Sequence, residues 1–300
     1  MTRPRLGVVL PMFSGRPERV IEVARRAEEL GYAGVFAFDH FFPPGAPPDR
    51  PSLEGFTTLA AVGAVTERVR VGTLVARAQL RPAGLVAKMA AGIDELTGGR
   101  MILGIGTGDP IDEPEHRAFG IPTLSKPERR AHLAETVAAV KALLRGEPWE
   151  GGDHVPPVAG PLLPPPATPG GPPVWVGAQS DEVVRLAGSV ADGWNGWGLD
   201  PVPFARKARL LAEQAGAAGR EAEATWAGIA LVGEDETETD RLLAARRERG
   251  MVEEGVWVGS AARFAGHLDA LGEAGATWAI VVPAGPADRL EVVAGAAGLA

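Results

Sequence analysis

Residues able to move protons or seat a ligand gather at three places in this 300-residue chain. The first is Asp39–His40, which directly follows the apolar Phe36, Ala37 and Phe38. Histidine titrates near neutrality and an adjacent carboxylate can orient its ring, so the pair suits general acid–base work at the end of a strand. The same two residues can equally form a structural pair that caps the loop into Phe41, Phe42 and Pro43. The second place is Gly98–Gly120, GGRMILGIGTGDPIDEPEHRAFG. There an apolar run (Met101, Ile102, Leu103, Ile105) breaks into Gly104, Gly106 and Gly108. These glycines let backbone approach a flat or anionic ligand, with Asp109 as an acid or base beside it. A tight turn with Asp109 capping the next helix accounts for the same residues. Asp112, Glu113, Glu115 and His116 follow. Their spacing matches no metal-ligand pattern and helix-start charges explain most of them, so no metal is expected.

The third place is Val174–Ser180, VWVGAQS, where a strand ends in Gly177 and Ala178 and a helix starts near Ser180. Small residues at a helix N-terminus expose unpaired N–H groups, which can seat a phosphate. Asp181 and Glu182 work against an anion there, and a plain strand-to-helix join with a serine cap is the alternative. Trp194, Asn195 and Trp197 could face a planar ligand, although tryptophans on strands are commonly core. His132, His154 and His267 read as structural or surface residues.

Positioning these groups requires a scaffold, and the apolar runs supply one. Leu6–Leu10, Val35–Phe38, Val69–Val75, Arg100–Ile105, Val174–Val176, Gly193–Trp197, Thr225–Val232 and Thr277–Val282 read as strands. Helical spacing lies between them, as at Val20, Ala24, Ala27 and Leu30. Eight continuous apolar strands alternating with helices predict parallel strands closed into a (β/α)8 barrel. A doubly wound open sheet is the alternative, but its nucleotide fingerprint is poorly matched: the glycines run G-x-G-x-G, with Asp109 where a final Gly or Ala belongs. A helix over Pro127–Leu144 opens on a capping box, Ser125 to Glu128. After it, residues 147–173 are dense in Pro and Gly and predict an insertion packed over the barrel top or a lid. A second excursion, Glu234–Trp257, carries a charged helix at Arg241–Arg249. Both read as insertions in one domain over residues 1–300.

Composition bounds the function. An apolar fraction of 45% and a charged fraction of 23% fit a globular, enzyme-like chain. No long apolar run and no signal peptide is evident, so no membrane span and a cytoplasmic location are expected. The absence of cysteine excludes disulfides, thiolate metal sites and a cysteine nucleophile. A net charge of −8 argues against nucleic acid and anionic membranes as partners. No Gly-x-Ser-x-Gly elbow or P-loop lysine motif is present, so serine hydrolase and P-loop NTPase chemistry drop out.

Taken together, Glu29–His40 (ELGYAGVFAFDH), Val69–Val75 (VRVGTLV), Leu96–Gly108 (LTGGRMILGIGTG), Glu113–Gly120 (EPEHRAFG), Pro173–Ser180 (PVWVGAQS), Ala191–Asn195 (ADGWN) and Gly255–Ser260 (GVWVGS) resemble the bacterial luciferase-like family. The resemblance is to its branch of oxidoreductases that use the deazaflavin coenzyme F420, and it spans nearly the whole chain in order. It implies a (β/α)8 barrel with an insertion after the fourth helix, a homodimer, and a small-molecule substrate. The Gly255–Ser260 segment would open a helix leading to the last strand. The resemblance places the cofactor ring over the barrel mouth beside a third-strand bulge at Leu74–Val75, often a cis non-proline peptide. Gly106, Thr107, Gly108 and Ser180 would line the cofactor, and its phosphate would meet backbone at Gly177, Ala178 and Gln179. His40 would be the general base, with Asp39 behind it at the cofactor and Asp109 as a second acid. Three departures bear on the substrate. Asp109 stands where relatives often carry Glu, Pro44 replaces a pocket tryptophan, and the basic residues that would grip a sugar phosphate are not evident in the late helices. The implied activity is hydride transfer between F420 and a small apolar or neutral substrate. An FMN-dependent monooxygenase and a non-catalytic cofactor-binding protein on the same barrel are the alternatives.

Overall fold

Long apolar runs too short for buried helices pair side by side here, each covered on its outer face by the helix that follows it. The computed structural model describes residues 3–44, 50–251, 253–286 and 289–299. The first half of the chain runs β1 (Arg5–Val9), α1 (Glu18–Glu29), β2 (Gly34–Ala37), α2 (Gly55–Gly63), β3 (Arg70–Thr73), β4 (Ala76–Arg77), α3 (Ala83–Leu96), β5 (Met101–Gly106), a 3₁₀ turn (Pro110–Asp112), α4 (Glu113–Ala118) and α5 (Lys126–Leu144). The second half runs β6 (Val174–Gly177), α6 (Asp181–Val190), β7 (Gly193–Trp197), α7 (Pro201–Ala217), β8 (Glu223–Gly233), α8 (Glu236–Glu248), β9 (Val256–Ser260), α9 (Ala261–Glu273), β10 (Ala276–Pro283) and α10 (Arg289–Ala297). The expected capping box opens α5: Glu128 N–H donates to Ser125 Oγ, and Ser125 N–H donates to the Glu128 carboxylate at 2.7 Å.

The strands close in the order β1, β2, β3, β5, β6, β7, β8 and β10, with β10 returning to β1, and every pairing is parallel. This is the eight-stranded barrel that the apolar runs predict. The two-residue β4 continues the third stave beyond Leu74–Val75 and pairs Arg77 with Gly106. Its interior is plugged by Phe36, Trp175 and Trp278 with Val9, Leu74, Ile102, Ala227 and Ile280. Glycines on the staves make room for these rings. A Cβ at Gly7 would lie 2.8 Å from Phe36, and one at Gly193 would lie 2.6 Å from Trp175. A barrel filled in this way is a core rather than a pore, which leaves the C-terminal mouth as the place for ligands.

Two expectations change. Val256–Ser260 is a strand rather than the opening of a helix: β8 outruns β7 beyond Ala227, and β9 pairs Ile229–Gly233 along the edge left open. The proline-rich segment does not pack over the barrel top. Glu135 of α5 accepts the N–H groups of Asp153, His154 and Val155, at 3.1, 2.8 and 2.8 Å. Val158 packs on Gly84 at the start of α3, Lys88 holds the Leu163 carbonyl, and Asp94 accepts Thr168 N–H at 2.7 Å. The segment therefore clothes the outer faces of α5 and α3. Topology explains the course, since it leaves α5 and re-enters β6 at the N-terminal end of the staves.

Candidate active site

Beyond Ala37 the chain leaves the sheet in extended form, and neighbouring side chains on such a chain point to opposite sides. Asp39 turns inward and is 2% exposed. Its carboxylate receives both guanidinium arms of Arg81, at 2.8 and 2.9 Å, and the Arg77 N–H at 3.0 Å. Arg81 also reaches Glu54 at 2.6 Å. Asp39 is thus spent on fastening the β4–α3 link to β2 and does not stand behind His40, contrary to the expectation from their adjacency.

The carboxylate on His40 comes from α4. Glu115 Oε1 lies 2.8 Å from His40 Nδ1, while Glu115 Oε2 accepts the Phe41 N–H and an Arg77 Nη2–H, each at 2.6 Å. Burial pushes the Glu115 carboxyl up. The hydrogen bonds from His40 and the Phe41 N–H, with the charge of Arg77, outweigh this and hold it below the usual range. Glu115 is therefore a carboxylate at neutral pH. Asp112 Oδ1 stands 3.6 Å from His40 Nδ1 and 3.5 Å from Arg77 Nη1, and its other oxygen accepts the Asp109 N–H at 2.7 Å. The ligand-type atoms of His40, Asp112 and Glu115 fall within 4.8 Å of one another, as a metal set would. The cation facing both carboxylates is the guanidinium of Arg77. A helix-start role does not account for Asp112 and Glu115, because both are buried partners of a cation and of His40.

Asp109 lies outside this cluster and is exposed. Its backbone, rather than its side chain, is what the neighbouring turn holds. Thr107 is half-buried and donates its hydroxyl to the Gly108 carbonyl at 3.0 Å. Gly108 turns the chain at φ +69°, a conformation that favours glycine.

The peptide between Leu74 and Val75 is cis, at the bulge position where the resemblance puts it. Val75 covers the glycines that had suggested an open floor. A Cβ at Gly104 would lie 2.8 Å from Val75 Cγ1, one at Gly106 2.7 Å from Cγ2, and one at Gly177 2.8 Å from Cγ2. Gly106 and Gly177 are therefore notches for a side chain, Gly104 is closed by the Thr73 carbonyl as well, and the surface offered to the mouth there is half-buried Val75.

At the start of α6, Ser180 caps the helix by accepting the Val183 N–H at 3.4 Å. Ala178 N–H already donates to the Asn195 carbonyl at 3.1 Å, so it is not free for a phosphate. The N–H groups of Gln179 and Ser180 meet no acceptor among the described residues. The negative charge of Asp181 is offset by two cations. Arg206 grips it at 2.7 and 2.8 Å and Lys207 joins at 2.5 Å, which hold its carboxyl far below the usual range. Around the mouth stands an aromatic rim. Phe13 stacks on Phe38 at 5.8 Å between centroids, Trp197 meets Phe38 at 5.9 Å, and His40 lies 6.2 Å from Phe38. An apolar bulge, an aromatic rim and two open N–H groups at a helix start suit a flat ring bearing an anionic tail.

Comparison with known proteins agrees with this architecture. The family described as Luciferase-like monooxygenase matches residues 4–297. Relatives include proteins named F420-dependent glucose-6-phosphate dehydrogenase. That of Nakamurella multipartita is 33% identical over 59% of this chain and 51% of its own, and that of Intrasporangium calvum is 37% identical over 59% and 53%. The chain spans about half the length of these two relatives. Among solved structures, an F420-dependent secondary alcohol dehydrogenase in complex with an F420–acetone adduct superposes with a TM-score of 0.86. It is 18% identical over 99% of both chains. An EDTA monooxygenase from Chelativorans superposes at 0.83, with 17% identity over 99% of this chain and 94% of its own. At such identities these two establish the fold alone. With the match running nearly end to end over a barrel of this topology, the chain belongs to the luciferase-like monooxygenase family.

Proposed function

We propose that this protein is an oxidoreductase that transfers a hydride between coenzyme F420 and a small organic alcohol or carbonyl compound, with His40 exchanging the proton. The observation that carries the reading is the placement of His40. It stands at the mouth end of β2, 20% exposed, tethered through Nδ1 to a buried carboxylate and flanked by Phe13 and Phe38. F420, when bound, supplies the hydride-accepting or hydride-donating carbon. The chain's own residues do the rest. Val75 and the rim rings Phe13, Phe38 and Trp197 support a flat ring and keep water from it. The N–H groups of Gln179 and Ser180 hold its phosphate, and His40 takes the hydroxyl proton from an alcohol or returns it to a carbonyl oxygen.

The names of the Nakamurella and Intrasporangium relatives support the cofactor. Their sugar-phosphate substrate is not carried over. Arg77 and Arg81, the arginines beside His40, are both committed to carboxylates, so we assign an uncharged substrate. The resemblance adds a cytoplasmic homodimer to the proposal. Turnover of a panel of alcohols, ketones and enones with F420, beside fluorescence titrations with F420 and FMN, tests it. His40→Ala should lower kcat by about 10²–10⁴ with the F420 dissociation constant little changed. Unchanged turnover in that variant would remove His40 from the chemistry. Tight FMN binding without F420 binding would point to oxygen chemistry on the same barrel.

A further inference from the structure

We infer that Glu115 is a positioning residue that fixes the tautomer of His40, so that Nδ1 carries the proton and Nε2 presents its lone pair to the barrel mouth. The inference rests on the assignment of His40 as the proton-exchanging residue. It is carried by the hydrogen-bond inventory around a single carboxylate. An ionised Glu115 only accepts, so the His40 nitrogen 2.8 Å from Oε1 must be the one that bears hydrogen. A neutral ring protonated at Nδ1 is unprotonated at Nε2, and among the described residues Nε2 has no hydrogen-bond partner. A ring free to choose its tautomer would present a donor to the mouth part of the time, and a donor cannot take a hydroxyl proton.

The other oxygen makes the arrangement specific. Glu115 Oε2 receives two donors, the Phe41 main-chain N–H and an Arg77 Nη2–H, each at 2.6 Å, and neither can act as an acceptor. That atom therefore has to be an oxygen. In Glu115→Gln the amide oxygen is drawn to the Oε2 position by these two donors, which turns the amide NH₂ toward His40 Nδ1. The ring must then accept at Nδ1 and carry its proton on Nε2. Asp112 Oδ1 does not replace Glu115 as the acceptor at this nitrogen, since it lies 3.6 Å from His40 Nδ1, beyond hydrogen-bond length, and faces Arg77 Nη1 at 3.5 Å. A near-isosteric change thus inverts the tautomer with the fold in place. The logic is that of the aspartate-to-asparagine change in the serine protease triad, which lowers kcat about 10⁴-fold.

The test is long-range ¹H–¹⁵N NMR of the ¹⁵N-histidine-labelled full chain at a pH where the ring is neutral. The five histidines are few enough to separate, and His40 is assigned by loss of its signals in His40→Asn. The expected result is the Nδ1–H tautomer for His40 in the wild type and the Nε2–H tautomer in Glu115→Gln. With F420 and an alcohol, Glu115→Gln should lose about 10²–10⁴ in kcat while F420 affinity changes less than about threefold. A wild-type Nε2–H tautomer or an even mixture overturns the inference, as does a Glu115→Gln protein that keeps Nδ1–H. The wild-type spectrum decides by itself should the variant not fold. The readout needs no cofactor, so the two readings fail separately. The stated tautomers with no F420 turnover of any substrate would sink the proposed activity and leave Glu115 in its role.

Discussion

Val75 and the glycines beneath it give the sharpest structural prediction. Gly106 has an ordinary backbone conformation, so alanine there meets no torsional objection. Its Cβ would lie 2.7 Å from Val75 Cγ2, with the next neighbour outside that side chain, the Gly177 carbonyl oxygen, at 3.7 Å. The conflict is therefore with one methyl group. Overpacking of that kind costs about 1–3 kcal/mol. Val75→Ala removes two half-exposed methyls and should cost about 1 kcal/mol. If the two sites were independent, the double variant would lose the sum of both costs. The geometry says otherwise, because Val75→Ala deletes the methyl that the new Cβ at position 106 would strike. The double variant should sit near Val75→Ala alone, a favourable coupling of about 1–2 kcal/mol against an additivity error of about 0.5.

Urea unfolding followed by tryptophan fluorescence reads the cycle directly, and the chain has seven tryptophans to report it. The same four proteins titrated with F420 give the functional half. Gly106→Ala should push Val75 toward the mouth and weaken binding, and Val75→Ala should restore it. Gly104→Ala is the control. Its Cβ would collide with the Thr73 carbonyl as well as with Val75, and backbone cannot step aside, so Val75→Ala should not rescue it. Additive costs for Gly106→Ala and Val75→Ala would refute the claim that Gly106 is kept bare to admit the Val75 side chain, and equal rescue at Gly104 would refute the claim that the Thr73 carbonyl closes that position.

Two further outcomes follow from the ion pairs. Asp39→Asn leaves Arg81, only 11% exposed, without the carboxylate that holds both its arms, and should destabilise the fold by about 3 kcal/mol in urea unfolding; a loss below about 0.5 kcal/mol would contradict the buried pairing. Glu238 is pulled down to about 2, by Arg289 first and then by the Glu234 N–H. A depressed carboxyl contributes stability that is complete above its unfolded value of about 4.3 and is lost as pH falls through its folded one. Glu238→Gln should therefore lower Tm at neutral pH, with the gap from wild type closing between about pH 4.3 and pH 2. A gap independent of pH would show that the pair does not carry this linkage.

What was legible in the sequence follows from the range over which each feature is determined. The staves could be read because a strand covered on both faces is apolar at every position, a property of one short consecutive run. β9 is not legible as a strand, because Val256–Ser260 is one only where β8 outruns β7, and strand length is decided by neighbours. His40 could be found because a titratable residue at a stave's C-terminal end faces the mouth in any such barrel. Its partner could not, and here proximity in sequence misled. Adjacent side chains on extended backbone diverge, so Asp39 was turned toward Arg81, while the carboxylate at Nδ1 came from 75 residues away. The register that pairs Arg77 with Gly106 brings the guanidinium beside α4, and that cation allows Glu115 and Asp112 to stay charged while buried. An acid that reads as a helix-start charge and an acid that locks a catalytic ring carry the same letter. Glycines that open a floor for a ligand and glycines that admit a valine have the same spacing. In both cases the difference lies in what another stave brings opposite, which is why the Val75 and Glu115 variants test the site more severely than His40→Ala does.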